Sequence, residues 1–159
     1  FDYFPKELGI PIYRDAQLLQ IGDQKLLIGH GDGLGPGDTT YKFIKKFFNS
    51  KLCQWLFARL HPNFGIGIAM YWSRKSRISN LKREEKFMGE GGEFLWVYCN
   101  KIELKEHHDY YIFGHRHLPL DLKINEYSRY INLGEWVHFN TYAVYDGQQV
   151  ELKTFDPTA

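Results

Sequence analysis

The 159 residues carry 20 basic and 19 acidic side chains, and 43% of them are hydrophobic. This length and a 17% aromatic content predict one folded domain with its own core and exclude a disordered chain. A formal net charge of +1 gives no long-range attraction for nucleic acid, and no run of eighteen apolar residues predicts a membrane span.

The two cysteines, Cys53 and Cys99, are few and far apart, which is typical of a protein from a reducing compartment. We therefore expect a cytoplasmic protein. The sequence begins with Phe1 rather than Met, and its first residues, FDYFPKELGIPIY, resemble the interior of a longer sequence. We expect an N-terminal portion to be missing.

The first predicted elements are two strands. Residues 16–29, AQLLQIGDQKLLIG, contain two short apolar runs around GDQ, which is a hairpin signal. Four glycines and a proline follow within Gly31 to Gly37 and predict a loop at the end of the second strand.

Helices are predicted next. Between residues 41 and 60, apolar side chains recur at three- and four-residue steps, which predicts one amphipathic helix that His61 and Pro62 end. A second, basic helix is predicted from about Ile66 to Lys86, and residues 94–108 form a third helical candidate.

The remaining sequence predicts short strands: YYIF, DLKINEY, YINLG, FNTYAVYDG and QQVELKTF. The last two meet at DGQ and form the clearest hairpin. An order of strands, then helices, then strands predicts an α/β protein.

Three histidines, His30, His115 and His117, each follow an apolar run and lie close to glycine. On an extended backbone, residues i and i+2 point to the same side, so His115 and His117 could converge on a metal ion. Imidazole, with the carboxylate of Asp32 nearby, suits divalent Mn, Fe, Zn or Mg. The alternative for the His-x-His pair alone is a surface loop, and Asp32 is expected to brace its loop rather than bridge metals.

The segments LLIGHGD and YYIFGHRHLP resemble the third and fourth signature blocks, Gly-His-Gly-Asp and Gly-His-x-His, of the calcineurin-like metallophosphoesterases. Among these, the chain is most similar to the UDP-2,3-diacylglucosamine hydrolases of lipid A biosynthesis. In that subgroup an aspartate follows the histidine by eight residues, which here is Asp38. The resemblance extends over essentially the whole chain and identifies it with the C-terminal two-thirds of such a protein.

The resemblance implies a four-layer α/β sandwich with a helical cap at residues 38–100. It also implies two divalent metal ions, with manganese expected and Mg, Fe or Zn as alternatives. His30 and His115 would bind one metal and His117 the other, and His115 would lie beside the phosphate as a catalytic residue. The N-terminal blocks that supply the carboxylates, Asp-x-His, Gly-Asp-x-x-Asp and Gly-Asn-x-Asp, do not occur here.

The implied reaction is hydrolysis of an acid anhydride, the pyrophosphate bond of UDP-2,3-diacylglucosamine, by metal-activated water. The implied partners are this lipid-linked sugar nucleotide and the cytoplasmic face of the inner membrane, where the protein would be peripheral. Because the carboxylate blocks are absent, we expect the chain alone to be inactive.

Candidate substrate-binding residues are Asp38 and a pair four residues apart, Ser76 and Asn80, which would share a helix face and contact the head group. Arginines of the same segment could clamp the diphosphate: Arg74, Arg77 and Arg83. The alternative for this basic segment is a solvated helix face.

The aromatic helix at residues 41–60 has two interpretations. It could supply core packing, or it could line a groove for acyl chains and lie on an anionic membrane, which the resemblance favours. The remaining histidines are predicted to be structural or at the surface, with His61 at a helix end: His61, His107, His108 and His138.

Two alternative functions remain. One is a calcineurin-like phosphoesterase with a different substrate. The other is a non-catalytic module that binds lipid or a membrane surface, which the absent carboxylate blocks would favour.

Overall fold

The computed structural model describes residues 3–36, 39–84 and 86–156, with the backbone alone at 39–42 and 76–84. It divides into two compact units, one formed by Phe1–Asp32 with Cys99–Ala159 and the other by Gly33–Tyr98. Strands and helices are both present, in agreement with the predicted α/β class.

The described elements follow in chain order: α1 Tyr3–Leu8, β1 Gln17–Ile21, β2 Gln24–Gly29, α2 Thr39–Asn49, α3 Lys51–Phe57, α4 Pro62–Glu84, a 3-10 turn Glu90–Gly92, α5 Phe94–Glu103, β3 Tyr110–Phe113, β4 Pro119–Lys123, β5 Arg129–Leu133, β6 Thr141–Tyr145 and β7 Val150–Thr154. Helix α1 was not predicted, because six residues are too few to show helical periodicity.

A five-stranded sheet organises the first unit, with strand order β1-β2-β3-β5-β4. The central strand β3 runs parallel to β2 and β5, while the outer strands are antiparallel to their neighbours. All four residues of β3, YYIF, are buried. A continuous apolar run is expected for a strand that is covered on both faces of its sheet.

Both predicted hairpins are confirmed. β1 and β2 pair antiparallel through a two-residue turn in which Gly22 has φ 60, a conformation that glycine adopts without steric cost. β6 and β7 form a separate two-stranded sheet. In its turn, the Asp146 carboxylate accepts the N–H groups of Gln148 and Gln149, both at 2.8 Å.

The hydrophobic core of this unit lies between one face of the large sheet and the β6–β7 hairpin. Its buried members come from β2, β3, β5 and β7: Leu26, Tyr110, Ile112, Ile131 and Val150. Partly buried side chains pack around them: Ile28, Leu133, Ala143, Tyr145 and Leu152. The strand residues in this cluster alternate along each strand, as one face of a pleated sheet requires.

The helical unit corrects the single helix that was predicted for residues 41–60. The chain forms α2 and α3 instead, because Ser50 adopts an extended backbone with φ −67 and ψ 122. Asparagine and serine are more common at helix ends than in helix interiors, in line with the interruption, although the Ser50 side chain makes no capping hydrogen bond. The side chain of Gln54 then bonds back to the Phe48 carbonyl at 2.9 Å across the break.

Helix α4 begins at Pro62, four residues before the predicted start. Proline is well suited to the first turn of a helix, since its fixed φ is helical and its missing N–H needs no partner there. Phe57 at the end of α3 packs over Gly65, where an added Cβ would lie 3.4 Å from the ring. Among the described helices, none combines the length and apolar character that crossing a bilayer requires.

Candidate active site

The carboxyl ends of three parallel strands, β2, β3 and β5, meet at one edge of the large sheet. His30 follows β2 directly, and Gly114–His115 follow β3. Gly29 precedes His30 at a tight position, where an added Cβ would lie 3.0 Å from the Cβ of Ala16 and 3.1 Å from the Phe113 ring. Ligands of open α/β sheets commonly bind beyond this edge.

The structure brings His30 and His115 together. Their ring centroids are 5.3 Å apart and their planes are inclined by 74°. The two loops are also joined through the backbone, because the N–H of Gly114 donates to the carbonyl of His30 at 3.1 Å. His30 is exposed and His115 is half-buried, so the pair is open to solvent at this edge.

The backbone of the His-x-His segment is not extended, which corrects the basis of the predicted convergence. His115 has φ 63 and His117 has φ 51, both in the left-handed region that residues with a Cβ rarely adopt. The N–H of Arg116 donates to the Gly114 carbonyl at 2.7 Å and closes a three-residue turn around His115. Strained turns of this kind concentrate at functional sites.

His117 is exposed, while the intervening Arg116 is buried, with 7% of its surface accessible. Asp32 is half-buried in the turn after His30. Within the described parts of the chain, no group of three or more His, Cys, Asp or Glu side chains is arranged to hold a metal ion. The imidazoles of His30 and His115 are thus a pair of suitable donors rather than a complete ligand set.

Asn132 was not found from the sequence. It lies near the end of β5, is fully buried, and its side-chain amide donates to the carbonyl of Gly114. Its carbonyl oxygen accepts the N–H of Gly134 at 3.2 Å. The available signal was a polar residue inside the apolar run YINL, directly before the end of a strand.

The opposite end of the sheet contains the two histidines that were predicted to be structural or at the surface, His107 and His108. Both contact the carboxylate of Glu103 at the end of α5: the His107 ring lies 2.7 Å away and the backbone N–H of His108 donates at 3.0 Å. His108 is buried and its ring contacts the Tyr111 hydroxyl at 3.1 Å. These histidines belong to a hydrogen-bond network away from the candidate site.

Glu103 also accepts hydrogen bonds from the hydroxyls of Tyr111 and Ser128, each at 2.8 Å. Desolvation by burial would raise the pKa of Glu103, but the hydrogen bonds, with that of His107 the largest, outweigh it and lower the pKa to about 2. Burial, together with the bond to Glu103, raises the pKa of Tyr111.

The predicted substrate-binding residues belong to the helical unit. Asp38 lies outside the described residues. Helix α4 spans Ser76, Asn80 and Arg83, whose side chains the structure does not describe. Their assignment to the head group stays a prediction.

Among the described residues, the aromatic face of α2 and α3 is largely exposed, as predicted. Phe43 is 73% exposed, and the other aromatic residues of this face are about half exposed: Phe47, Phe48 and Trp55. Phe48 contacts Trp72 of α4 edge-on, with ring centroids 6.0 Å apart. One side of α4 adds an open apolar groove of about 290 Å³ lined by Asn63, Phe64, Gly67, Ile68, Tyr71 and Trp72.

The Gly-His-Gly-Asp and Gly-His-Arg-His segments thus place a histidine pair beyond the parallel sheet edge, as their resemblance to metallophosphoesterase signature blocks led us to expect. No family model matches the chain. Curated proteins do match the chain, and their shared name indicates one subgroup of hydrolases.

A UDP-2,3-diacylglucosamine hydrolase of Porphyromonas gingivalis is 31% identical to this chain, over 98% of the chain and 64% of the relative. Proteins of the same name from Yersinia pestis and Yersinia pseudotuberculosis are 28% identical over 96% of the chain and 63% of their own length. The chain is therefore similar to proteins named UDP-2,3-diacylglucosamine hydrolase over nearly its whole length, as its motifs predicted. It spans about 64% of the length of the first of these relatives, which agrees with the predicted two-thirds.

Proposed function

We propose that this chain forms part of a hydrolase that cleaves the pyrophosphate bond of UDP-2,3-diacylglucosamine, giving UMP and 2,3-diacylglucosamine 1-phosphate in lipid A biosynthesis. The names of the relatives support the substrate. The observation that carries the proposal is the pair of His30 and His115, with ring centroids 5.3 Å apart at the carboxyl edge of the sheet.

The donor chemistry of this pair fits a divalent metal, because neutral imidazole is a common ligand of Mn, Fe and Zn. We propose two metal ions, with manganese expected. His30 and His115 would hold one of them, and His117 would hold the other. The carboxylate ligands would come from further residues, since the described ones contain no group of three or more His, Cys, Asp or Glu side chains arranged to hold a metal. When bound, a metal pair supplies an activated water and neutralises charge on the phosphoryl group.

The chain's own residues orient this chemistry. The turn closed by the Arg116 N–H holds His115 at the edge, where it would lie beside the scissile phosphate. The bond from Gly114 to the carbonyl of His30 fixes the two loops against each other, so both imidazoles are placed before substrate arrives.

We further propose that the two sheets are part of a four-layer sandwich and that residues 38–100 form its cap. The exposed side chains Phe43, Leu52 and Phe64, at 73%, 65% and 63%, support a role in binding acyl chains and the inner-membrane surface as a peripheral protein. In this proposal Asp38, Ser76, Asn80 and Arg83 contact the polar head group.

Release of UMP from UDP-2,3-diacylglucosamine with added manganese tests the reaction. The 159-residue chain is compared with a form extended upstream to the length of the relatives. We expect turnover from the extended form and essentially none from the chain alone, because three imidazoles cannot hold two cations at close range without carboxylates.

In the extended form, His115→Gln should lower the rate by orders of magnitude, and His138→Gln, an exposed control, should not. Equal turnover by the 159-residue chain and the extended form would show that the ligands or the substrate are misassigned.

A non-catalytic lipid or membrane-surface binding module is the second candidate, and the exposed aromatic face of α2 and α3 favours it. Metal analysis of the purified extended form separates the two, since a dinuclear enzyme retains close to two equivalents. A phosphoesterase with another substrate would bind metal but would not be inhibited by a diacylated competitor.

A further inference from the structure

Asn132 is a buried polar residue whose side chain bonds to Gly114, next to His115 of the candidate site. It is fully buried on β5 and is paired in register with Phe113, the last residue of β3. An amide enclosed in a sheet core is retained only where its donors and acceptor are satisfied. Its three partners are the Gly114 carbonyl, the Tyr130 hydroxyl at 3.1 Å and the Gly134 N–H at 3.2 Å.

These partners connect the loops that leave two neighbouring strands. Gly114 is the first residue after β3, and Gly134 is the first residue after β5. The Gly114 carbonyl accepts a second hydrogen bond, from the N–H of Arg116 at 2.7 Å, which closes the turn around His115. One carbonyl thus receives both the bond that forms the turn and the bond from Asn132.

The turn needs such support. His115 has φ 63, and this conformation is unfavourable for a residue with a Cβ unless the surrounding structure stabilises it. The Gly114 N–H bonded to His30 is on the same residue as the carbonyl bonded to Asn132. Gly114 is therefore held from both sides, by the β2 loop and by the β5 strand.

We propose that Asn132 is a positioning residue for His115: by fixing the Gly114 carbonyl, its side-chain amide holds the left-handed turn that sets the His115 ring beside that of His30. The effect on catalysis rests on the proposed function. The effect on the geometry of the histidine pair does not.

Two variants separate positioning from a purely structural role. Asn132→Leu keeps a similar volume and removes the bond to Gly114. Tyr130→Phe removes a buried hydroxyl that also contacts the Asn132 amide, but leaves the Asn132–Gly114 bond intact. If the Asn132 amide only satisfied hydrogen bonds within the core, removing it and removing the Tyr130 hydroxyl would affect the His115 ring equally.

The first readout is the nuclear Overhauser effect between the rings of His30 and His115 in the 159-residue chain. The wild type should show it, because the ring centroids are 5.3 Å apart. We expect Asn132→Leu to lose it and to shift the His115 ring resonances, while Tyr130→Phe keeps both. An Asn132→Leu protein that is folded, as its core methyl resonances would show, and retains the effect would overturn the proposal.

A measurement on the wild type keeps the test decisive if Asn132→Leu does not fold. The two side-chain amide protons of Asn132 should be distinct and should exchange with solvent at least about tenfold more slowly than those of the exposed Asn63. Exchange as fast as that of Asn63 would mean that the bond to Gly114 is not formed, and positioning by Asn132 would be ruled out.

The second readout is UMP release by the extended form. Asn132→Leu should lower kcat by about 10- to 100-fold, since small displacements of a catalytic group have effects of this size, while KM changes little. Tyr130→Phe should stay within about twofold. An inactive wild type would refute the proposed function and leave the ring contact to decide positioning. An active wild type with unchanged kcat in a folded Asn132→Leu would refute positioning alone.

Discussion

The exposed His117 occupies a backbone conformation that costs stability. Its φ of 51 is in the left-handed region, where a Cβ crowds the following carbonyl at a cost of about 1–2 kcal/mol. A residue that served stability alone at this position would be glycine or asparagine. The strain supports the proposed role of the His117 imidazole as a metal ligand.

His117→Gly should therefore stabilise the folded chain by about 1 kcal/mol, less the entropy that glycine adds to the unfolded state, even as the proposed metal ligand is lost. Thermal unfolding monitored by circular dichroism measures the change. Glu126→Gly is the control, because Glu126 is exposed and has no positive φ, and it should not stabilise the chain. A destabilised His117→Gly would show that the contacts of this side chain outweigh the backbone strain.

At this scale the sequence predicted that His30 and His115 lie together, but not how they are held. His30 and His115 were visible from the apolar runs and glycines around them, and the parallel strands bring them together. The reversed turn at His115 was not predictable, because its φ depends on bonds from Asn132, which lies seventeen residues further along the chain. Long-range hydrogen bonds to backbone leave no periodic pattern in a sequence.

Glu103 connects several elements, since the carboxylate at the end of α5 binds Tyr111 of β3 and the turn between β4 and β5 at Asn125 and Ser128. The pKa of the Glu103 carboxyl in the folded chain is about 2, below its usual value of 4.5. A lowered pKa means that the ionised form stabilises the fold, fully so above pH 4.5, and that this stabilisation is lost as the pH falls toward 2.

Glu103→Gln should lower the free energy of unfolding by about 1–3 kcal/mol at pH 7, and the difference from wild type should shrink as the pH falls from 4.5 to 2. Urea denaturation at several pH values measures it. Glu106→Gln removes an exposed carboxylate with one ion pair to Lys25 and should change stability by less than about 1 kcal/mol. A penalty that is independent of pH would indicate that packing, rather than charge, gives Glu103 its role.

The aromatic face of α2 and α3 makes an element-scale prediction of its own. Replacing Phe43, which is 73% exposed, and Leu52, which is 65% exposed, with Gln should change stability by less than about 0.5 kcal/mol each. The double variant should bind vesicles of anionic lipid about tenfold more weakly, because apolar area would no longer be buried there.

Co-sedimentation with the vesicles measures this binding, and urea denaturation measures the stability. Leu26→Ala in the core is the matched control, because it should change stability and not vesicle binding. We expect its free energy of unfolding to fall by about 2–5 kcal/mol. Unchanged vesicle binding by the double variant would remove the support for a membrane-facing role of this surface.

Element types were largely predictable from periodicity, whereas their limits were not. Both hairpins and the buried YYIF strand have local signals in turn residues and apolar runs. The break at Ser50 was missed because the apolar spacing continues across it from Phe47 to Trp55. The extended backbone of the single residue Ser50 interrupts the helix there, against the period of the whole segment.

Across the whole molecule, the two free cysteines report on folding. Cys99 is fully buried, and desolvation raises the pKa of its thiol, whereas Cys53 is half-buried in α3. The native chain should react with a thiol reagent at Cys53 alone, and Cys99 should react only as urea unfolds the protein. Mass spectrometry of labelled peptides follows both sites, with Cys53→Ser as the control. Rapid labelling of Cys99 in the native chain would show that its surroundings open without global unfolding.

The central position of β3 also determines the order in which the chain can fold. Its partner β2 lies far upstream: the bond from the Lys25 N–H to the Asp109 carboxylate closes 84 residues of chain, which include the entire helical unit. The three antiparallel pairs, in contrast, close over short turns. Loop-closure entropy places the short pairs first and the parallel contacts last. In pulse-labelled hydrogen exchange, the β1–β2 and β6–β7 amides should gain protection before those of β3. The edge that holds His30 and His115 is therefore assembled in the final step of folding, and a chain arrested before that step would contain every hairpin and no candidate site.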